Sequence, residues 1–162
     1  ASAAVSRPLV VANDNCPGQI VISGDSQALD YALPLAQAQG AKRTIKLAVS
    51  VAAHSPLMAD AESEFKQVVA RTPISKPNIP IIGNIHATLL DEVDAIQIEL
   101  SGQLTSAVRW TETIQTMRTH GIKTFIEVGT KGVLKGLLKK IDRDAIGLSI
   151  EKPSDLLGIL HD

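Results

Sequence analysis

The chain has 162 residues, 44 % hydrophobic and 20 % charged, and its 16 Lys and Arg against 17 Asp and Glu leave a formal net charge of −1 at pH 7. That length and apolar content suffice for one full core and exclude a disordered chain. The near-neutral balance lacks the basic excess of a general nucleic-acid binder, and no apolar run approaches the ~18 residues of a membrane span.

Residues 9–12 are a short apolar run that predicts a strand, and Asn13-Asp14-Asn15-Cys16-Pro17-Gly18 is a concentrated turn signal. Ile20, Val21 and Ile22 predict a second strand over 19–23, and Gly24-Asp25-Ser26 supplies a turn and a helix N-cap. Residues 27–39 read as a helix stopped by Gly40, with Pro34 expected to kink or split it. Alternation of Ile45, Leu47 and Val49 with Thr44, Lys46 and Ala48 predicts a third strand over 44–51. A long amphipathic helix follows, capped by Ser55 with Pro56 first, and Leu57, Ala61, Phe65 and Val68 on its apolar face.

Three prolines exclude regular helix over 72–80, and residues 79–85 are strand-like but interrupted by Gly83. Residues 91–104 read as a helix with Val93, Ile96, Leu100 and Leu104 as its stripe, and residues 110–120 as another, ended by Gly121. A strand over 124–128 is closed by Gly129. A last helix buries Val133, Leu134, Leu137, Leu138 and Ile141, and 145–150 is a final strand. Strands alternating with helices predict an α/β fold with mostly parallel pairing. Ala1-Ser2-Ala3-Ala4 reads as the tail of a helix. No basic segment precedes an apolar stretch as in a signal peptide, and the single Cys16 suits a reducing, cytoplasmic setting. One cysteine and scattered His54, His86, His120 and His161 predict no metal site.

The run from Val11-Ala12-Asn13 through Cys16-Pro17-Gly18-Gln19 to Ser23-Gly24 resembles a signature of the malonyl-CoA:acyl carrier protein transacylase family. The resemblance continues, in order and with matching gaps, through Gly40-Ala41-Lys42-Arg43, Val49-Ser50-Val51-Ala52-Ala53-His54-Ser55-Pro56-Leu57-Met58, Gln103-Leu104 with Val108-Arg109-Trp110, and Glu127-Val128-Gly129. It implies part of an α/β-hydrolase-like acyltransferase domain with a truncated ferredoxin-like small subdomain. Residues 1–50 would be the second part of that small subdomain, and 51–162 the C-terminal part of the large one. The family's nucleophile sits on a Gly-x-Ser-x-Gly elbow, which this sequence lacks; Gly24-Asp25-Ser26-Gln27-Ala28 misses the last glycine and sits where a helix cap is expected. The chain therefore reads as a piece of such an enzyme, inactive alone, with the missing N-terminal half as one partner.

The resemblance makes His54 the general base that takes the serine proton. His54 precedes a helix start, whose positive end favours the neutral ring; without the resemblance it would read as a helix-capping histidine. Gln103 matches the position whose main-chain carbonyl orients the base. Asn13 and Asn15 fall in a loop beside the active site. An acyl-contacting role and an Asx-turn role both stay open for Asn13, and the Asx turn is the reading taken for Asn15. Lys42 and Arg43 match a basic pair facing the acidic carrier protein. Cys16 reads as buried packing, and Lys139, Lys140 and Arg143 as a solvated basic cluster. Two departures from the family's pattern stand out: Thr130-Lys131 follows Glu-Val-Gly in place of Pro-Gly, and Ala53 beside the histidine is small.

The expected function is malonyl transfer from CoA to the phosphopantetheine thiol of acyl carrier protein through a seryl ester, in fatty-acid or polyketide synthesis. No cofactor is expected beyond the substrate malonyl-CoA and the carrier's phosphopantetheine. The alternatives are a polyketide synthase acyltransferase domain, a malonate decarboxylase transacylase, or, in another class, a non-catalytic carrier-docking module.

Overall fold

A hairpin opens the fold. β1 (Leu9–Cys16) and β2 (Gln19–Gly24) pair antiparallel, because the two residues Pro17 and Gly18 between them can join strands only as a hairpin. The computed structural model describes residues 6–156; the expected helix tail over 1–4 and His161 lie outside them. Gly24 ends the hairpin at φ +155°, with Pro8 so near that a Cβ would sit 2.2 Å from its carbonyl oxygen, so only glycine fits. Asp25 then caps α1 (Ser26–Ala38), its carboxylate accepting from the N–H groups of Gln27 and Ala28. Ala28 and Ala32, one turn apart, form the buried stripe of α1, which packs on β2.

A single 3₁₀ turn, Pro56–Met58, runs into α2 (Ala59–Arg71). Two-residue strands β3 (Ile81–Ile82) and β4 (Leu89–Leu90) pair antiparallel around a tight loop. Then come α3 (Val93–Gly102), α4 (Trp110–Thr119), β5 (Thr124–Val128), α5 (Val133–Ile141) and β6 (Ile146–Ile150), with β5 and β6 parallel. The core joins Ala12 and Cys16 of β1 to Ile85, Ala87, Leu90, Ile114, Leu137 and Leu138. The architecture is mixed helix and strand. No helix among the described residues is long and apolar enough to cross a membrane.

Buried Glu99 organises the middle of the chain. Its Oε1 accepts from the backbone N–H groups of Asn84 (2.5 Å) and Ile85 (3.0 Å), and Gly83 leaves the room: a Cβ there would lie 2.5 Å from Oε2. The Asn84 carbonyl in turn accepts from Arg109 N–H at 2.9 Å, while Thr113 Oγ1 donates to Gly83 O and Thr116 Oγ1 to Ala87 O. One carboxylate thus ties α3 to the loop that carries α4. On β5, Glu127 accepts from the N–H groups of Leu134 (3.1 Å) and Lys135 (2.9 Å), satisfying the head of α5.

Several expectations are corrected. Mostly parallel pairing was expected, yet β5–β6 is the one parallel sheet among the described residues, and the other two are antiparallel. Residues 44–51 are not a strand: Lys46 reaches Asp30 at 2.6 Å and Thr44 accepts from Gln37, tying the segment to α1, but no described strand pairs with its backbone. Ile45, Leu47 and Val49 therefore stay exposed. The turn expected over 13–18 shrinks to Pro17 and Gly18, because Asn13, Asp14 and Cys16 pair with Val21, Ile20 and Gln19. The helix runs through Pro34 unbroken.

Of the expected stripe, Leu57 lies on the 3₁₀ turn and is exposed, as are Ala61 and Val68 of α2, Phe65 is half-buried, and Glu62 and Val69 are buried instead. On α3 the buried side chain is Glu99, while Leu100 is exposed and Leu104 lies beyond the helix. The strand expected over 79–85 is two residues long: Gly83 N–H still donates to Thr88 O, and beyond it Glu99 takes the N–H groups of Asn84 and Ile85. On α5, Leu137 and Leu138 are buried but Val133 and Leu134 are exposed.

Two outcomes test these assignments. Glu99→Ala leaves two buried N–H groups without an acceptor and lowers unfolding stability in urea by about 1–3 kcal/mol, while Glu99→Gln, which keeps one acceptor oxygen, loses less. The Lys135 N–H bond, opposed by desolvation and helped by Leu134, holds the Glu127 carboxyl below its ordinary 4.5. A carboxyl depressed on folding adds stability that is fully present above the unfolded value and lost as pH falls through the folded one. Acid unfolding of the chain should therefore show a component below pH 4.5 that disappears in Glu127→Gln.

Candidate active site

His54 stands where an extended segment turns into the 3₁₀ turn, and it has a left-handed backbone at φ +58°. A non-glycine residue held there is strained by ~1–3 kcal/mol and needs its surroundings to hold it. Ser55, fully buried, does so on one side: its hydroxyl donates to Ala52 O at 2.7 Å and accepts from Leu57 N–H at 3.3 Å. On the other side the N–H of His54 donates to Leu104 O at 2.9 Å.

The ring meets the same turn. His54 Nδ1 lies 3.0 Å from Gln103 O and 3.1 Å from Ser106 O. Gln103 is the C-cap of α3, so its carbonyl has no intrahelical donor and is free to accept. Two carbonyls can only accept, so Nδ1 carries a proton, and in the neutral ring the lone pair stands on Nε2.

The turn at 103–106 is tied from three sides. Ser106 N–H donates to Gly102 O at 3.0 Å. Val108 forms a parallel bridge with Asn13 of β1, Asp14 N–H donating to Val108 O at 2.9 Å and Val108 N–H to Ala12 O at 2.8 Å. Thr105 Oγ1 donates to the carboxylate of Glu62, which also pairs with Lys66 at 2.5 Å. Burial of Glu62 works against its charge, but the Lys66 and Thr105 bonds outweigh it and hold the carboxyl below the usual range.

The structure thus brings His54 and Gln103 together. It joins Asn13 to the same unit through backbone bonds at Val108, two residues past Ser106. Asn13 and Asn15 are residues of β1, Asn13 paired with Val21 and Asn15 at the register shift between Asp14 and Cys16. Lys42 and Arg43 are exposed in the irregular segment between α1 and the 3₁₀ turn. Cys16 is fully buried, its Sγ 3.9 Å from Gln19 Oε1. Ser26 is the exposed first residue of α1, behind its Asp25 cap. Among the described residues no three His, Cys, Asp or Glu side chains cluster as metal ligands.

Sequence reasoning missed the Ser106 carbonyl, Thr105 and Glu62. The first is a backbone atom with no side-chain signal. Glu62 was legible only as a charge one position off the expected apolar stripe.

The family model of the acyl transferase domain matches residues 2–151. The chain is 40 % identical over 146 residues to the malonyl CoA-acyl carrier protein transacylase of Bacillus subtilis, covering 90 % of this chain and 46 % of that protein. To its Escherichia coli K12 counterpart it is 34 % identical over 149 residues, covering 92 % and 48 %. Among solved structures, the malonyl-CoA:acyl carrier protein transacylase of Xanthomonas oryzae superposes with a TM-score of 0.91 at 39 % identity, over 97 % of this chain and 50 % of that one. A malonyl-transacylase in complex with its type II PKS acyl-carrier protein superposes with a TM-score of 0.94 at 32 % identity, over 98 % and 51 %. The chain spans about half the length of the curated relatives it matches. With nearly all of its length matched, the chain belongs to the acyl transferase domain family.

Proposed function

We propose that this chain is the base-bearing part of a malonyl-CoA:acyl carrier protein transacylase. The observation that best supports this reading is the ring of His54, with Nδ1 against the carbonyls of Gln103 and Ser106, which in the neutral ring puts the lone pair on Nε2. A serine hydroxyl supplied by the part of the family domain that this chain does not match would attack the malonyl thioester. Nε2 takes the hydroxyl proton, the C–S bond breaks, and the CoA thiolate leaves with that proton. The phosphopantetheine thiol of the carrier then gives its proton to Nε2 and attacks the seryl ester, and the serine oxygen regains the proton. Gln103 needs no side chain for its part.

In this reading residues 1–50 are the second part of a ferredoxin-like small subdomain, and 51–162 the C-terminal part of an α/β-hydrolase-like large one. Asn13 and Asn15, on β1 beside the 103–109 segment, face the acyl-transfer site. Lys42 and Arg43 meet the acidic carrier, where their charge steers encounter and sets register. Their exposure supports this, as does the kinship with a transacylase whose solved complex contains its acyl-carrier protein. The pathway is fatty-acid or polyketide synthesis, in the cytoplasm.

Two experiments in a full-length acyltransferase carrying this chain test the reading. His54→Ala slows seryl-ester formation from labelled malonyl-CoA by about 10²–10⁴-fold. Gln103→Ala, which keeps the carbonyl, is far milder. A His54→Ala enzyme that melts normally and acylates at the parental rate would leave His54 as a helix-capping residue only. Charge reversal at Lys42 and Arg43 weakens transfer to the carrier protein and flattens its salt dependence, while transfer to free pantetheine barely changes. Equal losses with both acceptors would remove the docking role.

A further inference from the structure

The histidine and the carbonyls that hold its ring belong to separate stretches of chain, joined by a buried polar contact that the proposed chemistry does not use. Thr105 lies between Gln103 and Ser106, the two residues whose carbonyls face His54 Nδ1. Its hydroxyl donates to Glu62, and Glu62 sits in the first turn of α2, the helix that follows His54 directly. Glu62 is 8 % exposed, and its other oxygen takes the ammonium of Lys66, one turn along the same helix, at 2.5 Å. A buried carboxylate is retained only where it is fully partnered, and here its partners are a cation on its own helix and a hydroxyl on the turn.

The two sides already share one bond, His54 N–H to Leu104 O. That bond and the β1 contacts at Val108 fix the backbone on either side of Thr105, and the Thr105 hydroxyl adds a tie between them; a shift of about 1 Å there would carry a carbonyl out of the ~2.7–3.2 Å range of an N–H···O bond to Nδ1. We propose that Glu62 and Thr105 form a positioning latch that holds the 103–106 turn against the head of α2 and so keeps the proton of His54 on Nδ1. The ring's hydrogen bonds go to Gln103 and Ser106, so Glu62 and Thr105 act through those two carbonyls. The latch matters for malonyl transfer only if His54 is the base, and in that respect it rests on the function proposed above.

The tautomer of His54 can be read without any activity. Long-range proton–nitrogen spectra of a full-length acyltransferase carrying this chain, recorded at alkaline pH and assigned with His54→Gln, report which ring nitrogen holds the proton. The parent shows His54 protonated on Nδ1. Thr105→Val, nearly the same shape without the hydroxyl, shifts both His54 nitrogens toward the averaged values of an exchanging ring. Thr105→Ser restores the parental pattern. Glu62→Met, which removes the acceptor and keeps the length, repeats the effect of Thr105→Val should the latter fail to fold, as judged from its amide spectrum.

A parental His54 pattern in folded Thr105→Val or Glu62→Met overturns the latch, as does failure of Thr105→Ser to restore it. Unfolding of both variants would assign the contact to general stability and overturn it as well. An Nδ1-protonated His54 in a full-length enzyme that forms no seryl ester would instead sink the proposed function and leave the latch standing.

Discussion

The candidate site depends on backbone carbonyls at and just past the end of a helix, which have no donor within it. At the end of α3 the chain turns away after Gly102, and the carbonyls of Gln103, Leu104 and Ser106 find their donors in His54. Two bind the ring and one binds the backbone. The same carbonyls that would otherwise need water hold a histidine whose left-handed backbone would otherwise relax. No carboxylate is needed to select the tautomer, because carbonyls accept and cannot donate.

The rest of the described structure holds that turn still. Glu99 gathers the N–H groups of Asn84 and Ile85, and Asn84 passes the constraint to Arg109. β1 fastens Val108 from the other side through Ala12 and Asp14, and Thr111 Oγ1 adds a bond to Asp14 Oδ1 at 2.9 Å. Glu62 thus ends on the turn that faces His54, and Glu99 reaches the same segment one step removed, through Asn84 and Arg109. A buried charge is expensive unless its partners are in place, so each fixes geometry more than it adds net stability. The cost of misplacing the turn rises accordingly.

A different part of the molecule shows what happens where such partners are lacking. Residues 44–51 have the alternation of a half-buried strand, and Ile45, Leu47 and Val49 stand exposed. The Leu57 and Val68 side of α2 and Val128 of β5 are exposed in the same way. Together they leave exposed apolar patterns of the kind that mark contact surfaces.

The sequence by itself determined the elements whose signals are local. The hairpin, the Asp25 and Ser55 caps, Gly121 after α4, and the strands β5 and β6 all follow from turn chemistry, capping and short apolar runs that need no distant residue. The ordered string of motifs also pointed to His54 and Gln103. What it could not supply was which face of a helix is covered, since the hydrophobic stripe of α2 marks a face suited to burial and not the neighbour that covers it. Nor could it supply the partners of 44–51, because a strand is completed by another strand's backbone. Only the tertiary structure decided that Glu62 and Glu99 are buried, that Asn13 belongs to a strand, and that Ser106 offers a second carbonyl to His54. Each of these is a long-range pairing of backbone or charge, and such pairings leave no periodic trace in the chain that makes them.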